Sequence, residues 1–165
     1  MKTFAIILVT VILTLGLVLL GLVAVAETGA VNVAATQEHL PGVYWFLETL
    51  QESSVEQRSA DLQTPPLDDP QQRRTGLTHY HEMCVQCHGA PGLERGELGQ
   101  GLRPEPPHLH QARQRDARED FWVLQHGIRM TGMPAFGVTH QEDELWAIAA
   151  FLQELPELSP EQYAQ

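Results

Sequence analysis

The sequence predicts an all-α chain: one N-terminal apolar helix, a short helical linker and a small helical domain. Three observations lead there. Phe4 to Ala26 is an uncharged run of 23 residues. Downstream, apolar residues recur at helical spacing between capping residues and prolines. No stretch alternates apolar and polar residues as a half-buried strand would, and no internal repeat is evident.

The apolar run comes first. As a helix it is about 34 Å long, against a hydrocarbon thickness of about 30 Å. Ala24-Val25-Ala26 has the small residues of a cleavage site, so a removable signal is the alternative. A signal's apolar core is usually about 7–15 residues, shorter than this one. An uncleaved anchor over 1–27 is therefore expected. Lys2 before the span and Glu27 after it place the N-terminus in the cytoplasm and the rest of the chain outside. Lys2 is the only lysine, so beyond the span nine arginines face all 21 acidic residues, a net formal charge of −12. That balance argues against nucleic acid and against docking on anionic lipid by charge. It suits a partner with a positive face, although solubility alone also explains it.

Residues 28–69 read as a linker with an amphipathic helical segment. Pro41 fits a first helical position, and Val43, Tyr44, Phe46, Leu47 and Leu50 gather on one side. Ser53 and Glu56 form a possible capping box, so a second helix or a continuation reaches about Leu62. Tyr44-Trp45-Phe46 suits the membrane interface, packing on the domain, or burial in another subunit. Thr64-Pro65-Pro66-Leu67-Asp68-Asp69-Pro70 then marks a boundary.

The domain spans 70–165. Asp69-Pro70 is an N-cap and first-position pair for a helix reaching about Cys87. Gly76 inside it costs about 1 kcal/mol relative to alanine, so another backbone is expected to approach there. Gly89 to Leu109, with five glycines and Pro104, Pro106 and Pro107, is expected to form a loop. Asp116 and Glu119 open a short helix through Phe121, Trp122 and Leu124 that stops at Gly127. A second loop runs to Val138. Thr139 and Glu142 are the expected capping box of a long helix over about 140–154, with Leu145, Ile148, Ala149 and Leu152 in one stripe. Pro156 ends it, and Ser159-Pro160 can start one more turn.

Cys84-Val85-Gln86-Cys87-His88 is the chemical centre. Two thiols three residues apart share one face of a helical turn, where each can form a thioether to one haem vinyl group. His88 then offers its imidazole to the iron. A zinc site needs further ligands in a second cluster, and the chain has only these two cysteines. A thioredoxin-type pair expects a βαβ setting, and a disulfide closing so short a loop would stabilise little. One covalently attached haem c is the expected cofactor.

A six-coordinate iron needs a second donor. In Gly127-Ile128-Arg129-Met130-Thr131-Gly132-Met133-Pro134, Met133 lies between a glycine that permits a sharp turn and a proline that fixes the backbone. Its thioether favours reduced iron. Met130, His108, His110 and His126 are the rivals, and plain core packing is the ordinary role of a methionine. Arg103, Arg113, Arg115, Arg118 and Arg129 read first as solvated charges. Lining a propionate or a docking patch is their alternative role, Arg129 being closest to the ligand loop.

Residues 70–160 resemble a class I cytochrome c, of the small monohaem kind also found in subunits of haem-copper oxidase complexes. The resemblance rests on Gly76, Tyr80 and Cys84-x-x-Cys87-His88-Gly89, on Gly132-Met133-Pro134-Ala135-Phe136-Gly137, and on Glu144 to Leu152. It implies His88 as proximal and Met133 as distal iron ligand. It also implies that Gly76 and Tyr80 meet Ile148 and Phe151 where the first and last helices cross. A proline carbonyl should accept a hydrogen bond from His88, with Pro107 in Pro107-His108-Leu109 the candidate and Pro104 the second. The implied setting is a bacterial inner membrane, crossed once, with the haem domain in the periplasm.

Three functions follow. One is a membrane-tethered electron carrier of a respiratory or related chain, working between redox protein partners. Another is a fixed electron-entry subunit of a larger membrane oxidoreductase complex. The third, a gas-sensing or peroxidatic haem protein, needs an open iron position, and Met133 argues against it. The first two make the chain an electron carrier, or a subunit of an oxidoreductase complex, and not an enzyme by itself.

Overall fold

The computed structural model describes residues 2–37 and 39–165; Met1 of the expected anchor and Glu38 of the expected linker lie outside the described residues. The chain divides into two compact units, Met1–Gln37 and Glu38–Gln165. The first contains one helix, α1 (Lys2–Thr28), with exposed side chains throughout and no charge between Phe4 and Ala26. By length and composition it can cross a membrane. The hydroxyls of Thr10 and Thr14 donate to the carbonyls of Ile6 and Thr10, both at 2.9 Å, so their polar groups are satisfied within the helix.

The second unit begins with α2 (Pro41–Ser59), one continuous helix in which Ser53 and Glu56 start nothing new. It stops at Ser59, three residues before the expected limit. Val55 and Ser59 are buried, and α2 packs against α6 (Ala117–His126). Arg118 Nη1 donates to the carbonyl of Ala60 at 3.1 Å, closing the end of α2 onto the same element. Val43, Tyr44, Trp45, Phe46 and Leu50 remain exposed.

Asp69 caps α3 (Pro70–His79), its carboxylate accepting from Gln71 N–H at 2.9 Å with Pro70 in the first turn. The helix expected to run evenly to Cys87 changes pitch. Tyr80–Cys84 forms a π turn before α-helical geometry resumes in α4 (Val85–His88). The glycine-rich stretch that follows is not all loop, because Glu97–Gly101 forms the short helix α5.

The long helix α7 (Glu142–Glu154) starts later than expected, and its capping box is Gln141 with Glu144 rather than Thr139 with Glu142. Thr139 is already used: a 3-10 turn, Phe136–Val138, ends there, and its hydroxyl donates to Phe136 O at 3.3 Å. After a 3-10 turn at Leu155–Glu157, Ser159 and Gln162 cap the final turn, α8 (Pro160–Tyr163). Among the described residues there is no strand, only an isolated bridge between Ala90 and Leu93.

Helix α7 is the centre of the core. One cluster joins its Leu145, Trp146, Ile148 and Ala149 to Ala117, Phe121 and Leu124 of α6. The Phe121 and Trp146 rings stack at 4.1 Å and 9°. A second cluster joins Phe151 to Tyr80, Cys84, Ala90, Leu155 and Tyr163. Helix α3 crosses α7 at Gly76, where an added Cβ would stand 2.0 Å from Ala147 O and 2.9 Å from Phe151 Cβ. The ring of Tyr80 lies 5.4 Å from that of Phe151. The close approach expected at Gly76 is present, but its nearest neighbours are Ala147 and Phe151 rather than Ile148.

Candidate functional site

The site is built on the π turn and the helical turn after it. Val85 N–H donates to Tyr80 O, five residues back. That widened turn adds one residue to the helix and rotates everything after it by about 100°. Tyr80 is fully buried, and its hydroxyl donates to Gly89 O at 2.8 Å, tying the start of the π turn to the residue after His88. Burial pushes its phenol up, and the hydroxyl stays protonated as a donor.

Cys84 is buried, Cys87 is half-buried, and neither is paired. Burial first, and the neighbouring Cys87 second, push the Cys84 thiol up to about 12. The thiolate is the form that attacks disulfides, so Cys84 is a poor partner in thiol exchange. Helix α5 closes against this turn. Gly99 is buried, and a Cβ there would come within 2.8 Å of Cys87 Cα.

His88 Nδ1 donates to Pro107 O at 2.8 Å. A carbonyl only accepts, so the neutral ring carries its proton on Nδ1 and its lone pair on Nε2. The accepting carbonyl is that of Pro107, and not that of Pro104. Burial is the main cause that lowers the His88 pKa, with the hydrogen bond to Pro107 acting against it. The neutral form, the one that binds metals, is therefore favoured near neutral pH.

Met133 comes from the loop after α6. Its side chain is half-buried against the cluster of Phe121 and Trp146. Thr131 Oγ1 accepts from Met133 N–H at 3.1 Å, and Met133 O accepts from Ile128 N–H at 3.2 Å. Gly127 backs this turn at φ +64°, where a Cβ would meet Met133 O at 2.8 Å and Pro134 C at 2.7 Å. Met130 has φ +61° and is 86% exposed, pointing into solvent. His126 is exposed and packs its ring 4.9 Å from Trp122. His108 Nε2 accepts from Arg95, and His110 Nε2 lies 2.9 Å from Gln111 Nε2. The structure thus places Cys84, Cys87, His88 and Pro107 together and gives Met133 a pinned backbone and a half-buried side chain.

Arg95 is the residue that sequence reasoning passed over. Its guanidinium reaches Glu105, Pro106 and His108, the stretch around the carbonyl that His88 uses. Nothing in the sequence singled it out, since Arg103 is a second cation in the same loop. Arg129, favoured from sequence, is exposed.

Two unpaired thiols one turn apart and a ring nitrogen with a free lone pair suit a covalent haem, and Met133 offers a thioether from a loop whose backbone is pinned. The residues present fit that group. Residues 71–152 match the family model of cytochrome c oxidase, cbb3-type, subunit III. No curated protein matches the chain significantly. The matched stretch begins in α3, ends in α7 and includes every candidate site residue. A domain of this type serves electron transfer and implies haem c as its cofactor. Across residues 71–152 the chain is therefore a class I cytochrome c domain of the cbb3 oxidase type.

Proposed function

We propose that the chain is a membrane-anchored, single-haem cytochrome that relays one electron at a time in a bacterial respiratory or related chain. Cys84 and Cys87 hold the haem through thioethers, His88 is the proximal iron ligand and Met133 the distal one. The supporting observation is the 2.8 Å bond from His88 Nδ1 to Pro107 O directly after the cysteine pair. A backbone acceptor on Nδ1 orients the ring, fixes its tautomer and makes Nε2 a better donor. Bound there, haem supplies an iron that gains and loses one electron with its ligands retained.

The chain's own residues do the rest. Tyr80 and α5 hold the turn bearing the cysteines, and burial keeps His88 neutral. Thr131 and Gly127 shape the loop that presents Met133. The boundaries are an anchor over 1–27, a linker over 28–69 and a haem domain over 70–165. Helix α1 crosses the inner membrane once. Lys2 on one side and Glu27 on the other support a cytoplasmic N-terminus and a periplasmic haem domain.

Carbon monoxide tests the ligand set. The reduced native protein should not bind it readily, Met133→Ala should, and Met130→Ala should behave as the parent. Ready binding by the native protein would favour the gas-sensing or peroxidatic reading instead.

A second reading makes the chain a fixed electron-entry subunit of a larger complex. The matched family is described as an oxidase subunit, and the aromatic side chains of α2 lie uncovered. Purification in mild detergent separates the two. A subunit travels with stoichiometric partners, whereas a shuttle comes alone.

A further inference from the structure

We propose that Arg95 is the positioning residue for His88, gripping the chain on both sides of Pro107 and so aiming the carbonyl that orients the imidazole. The proposal rests on reading His88 as an iron ligand. Before Pro107, Arg95 Nη1 donates to Pro106 O at 2.8 Å and pairs with Glu105 Oε1 at 3.1 Å. After it, Nε and Nη2 donate to His108 Nε2 at 3.1 and 2.9 Å. Pro107 O, between the two grips, accepts from His88.

The grip has work to do because Pro107 is 19 residues from His88. The chain between them is rich in glycine, and fixing such backbone is entropically costly. Arg95 is itself well anchored. Gln100 Nε2 donates to Arg95 O at 2.9 Å, and the next residue, Gly96, donates from its N–H to Gln86 O at 3.0 Å. One end of the clamp is therefore fixed to the turn bearing the cysteines, and the other end holds the proline segment. The Arg95 side chain is only 13% exposed, which shields these bonds from competing water. A planar fork with five donors can hold acceptors on two sides at once; a lysine ammonium on a flexible stem does not present that geometry.

The test uses the haem-loaded full chain, reduced, with two readouts: hydrogen exchange of the His88 Nδ1 proton by NMR, and a redox titration. Arg95→Lys keeps the charge and loses the fork, and Arg95→Gln loses both. Both variants should exchange the His88 proton faster than the parent, by roughly tenfold or more. The potential of Arg95→Lys should rise, because an imidazole without its acceptor donates less to ferric iron. A purely structural or purely charge-based role predicts that Arg95→Lys exchanges at the parent rate, and that result overturns the proposal. Should Arg95→Gln fail to accumulate, His108→Ala removes one side of the grip. It should give a smaller acceleration in the same direction, and a parent-like rate there counts equally against the proposal. Failure of the underlying reading looks different: the parent's own His88 ring protons would lack the ring-current shifts of an axial ligand, and the role would fall with it.

Discussion

Gly76 has no side chain, and that absence lets α3 meet α7 with Ala147 O at 2.0 Å from where a Cβ would stand. A glycine that costs helix stability on its own was legible in the sequence as a contact point. Of its two expected partners Phe151 is in place, while the nearest atom belongs to Ala147, one residue before Ile148, because a helical stripe shows which face is buried and not which atom lies opposite. Asp120 left no comparable trace. Its carboxylate accepts from Gln153 Nε2 at 2.9 Å, and burial foremost raises its pKa to about 7, with Arg115 acting against the rise. The folded protein therefore retains a proton that the unfolded chain releases near pH 4. Stability should fall as pH rises from about 4 towards about 7. Asp120→Asn cannot ionise and should flatten that part of the profile in denaturant titrations. An unchanged decline in the variant would contradict the assignment.

At the scale of elements, α2 has two unlike halves. Val55 is 2% exposed, while Trp45 is 65% and Phe46 is 58% exposed. Val55→Ala should cost about 2 kcal/mol from two lost methyl groups and the cavity they leave. Trp45→Ala and Phe46→Ala should each stay within about 0.5 kcal/mol in denaturant unfolding. A large loss from either aromatic would mean that its surface is covered in solution. Caps and prolines gave most helix starts correctly, because Asp69, Asp116 and Ser159 act through bonds to their own first turns. The elements missed depend on distant partners. Helix α5 is short and glycine-rich, and it leans on Cys87. The π turn leaves the order of residues looking like an ordinary helix, since one widened hydrogen bond does not alter composition. Yet it sets which way Cys84, Cys87 and His88 face.

At the scale of the whole molecule, five adjacent residues carry the motif on which the proposed haem attachment rests, because such attachment is a local demand on the chain. The bond from His88 to Pro107 spans 19 residues, and its proline was named only through family resemblance. The Arg95 grip around it was not legible, because nothing in composition or spacing pairs an arginine with a carbonyl 11 residues away. A net formal charge of −12 beyond the apolar span Phe4–Ala26 fits partners with a positive face, and the cbb3-type domain points to a redox partner or an oxidase complex.

All of these functional statements require a haem bonded to Cys84 and Cys87, and the intact mass of the denatured chain tests that most directly. Made in cells competent for cytochrome maturation, the chain should weigh its polypeptide plus one haem. Cys84→Ala with Cys87→Ala should weigh the polypeptide alone. A native chain with no added mass after denaturation would contradict the account.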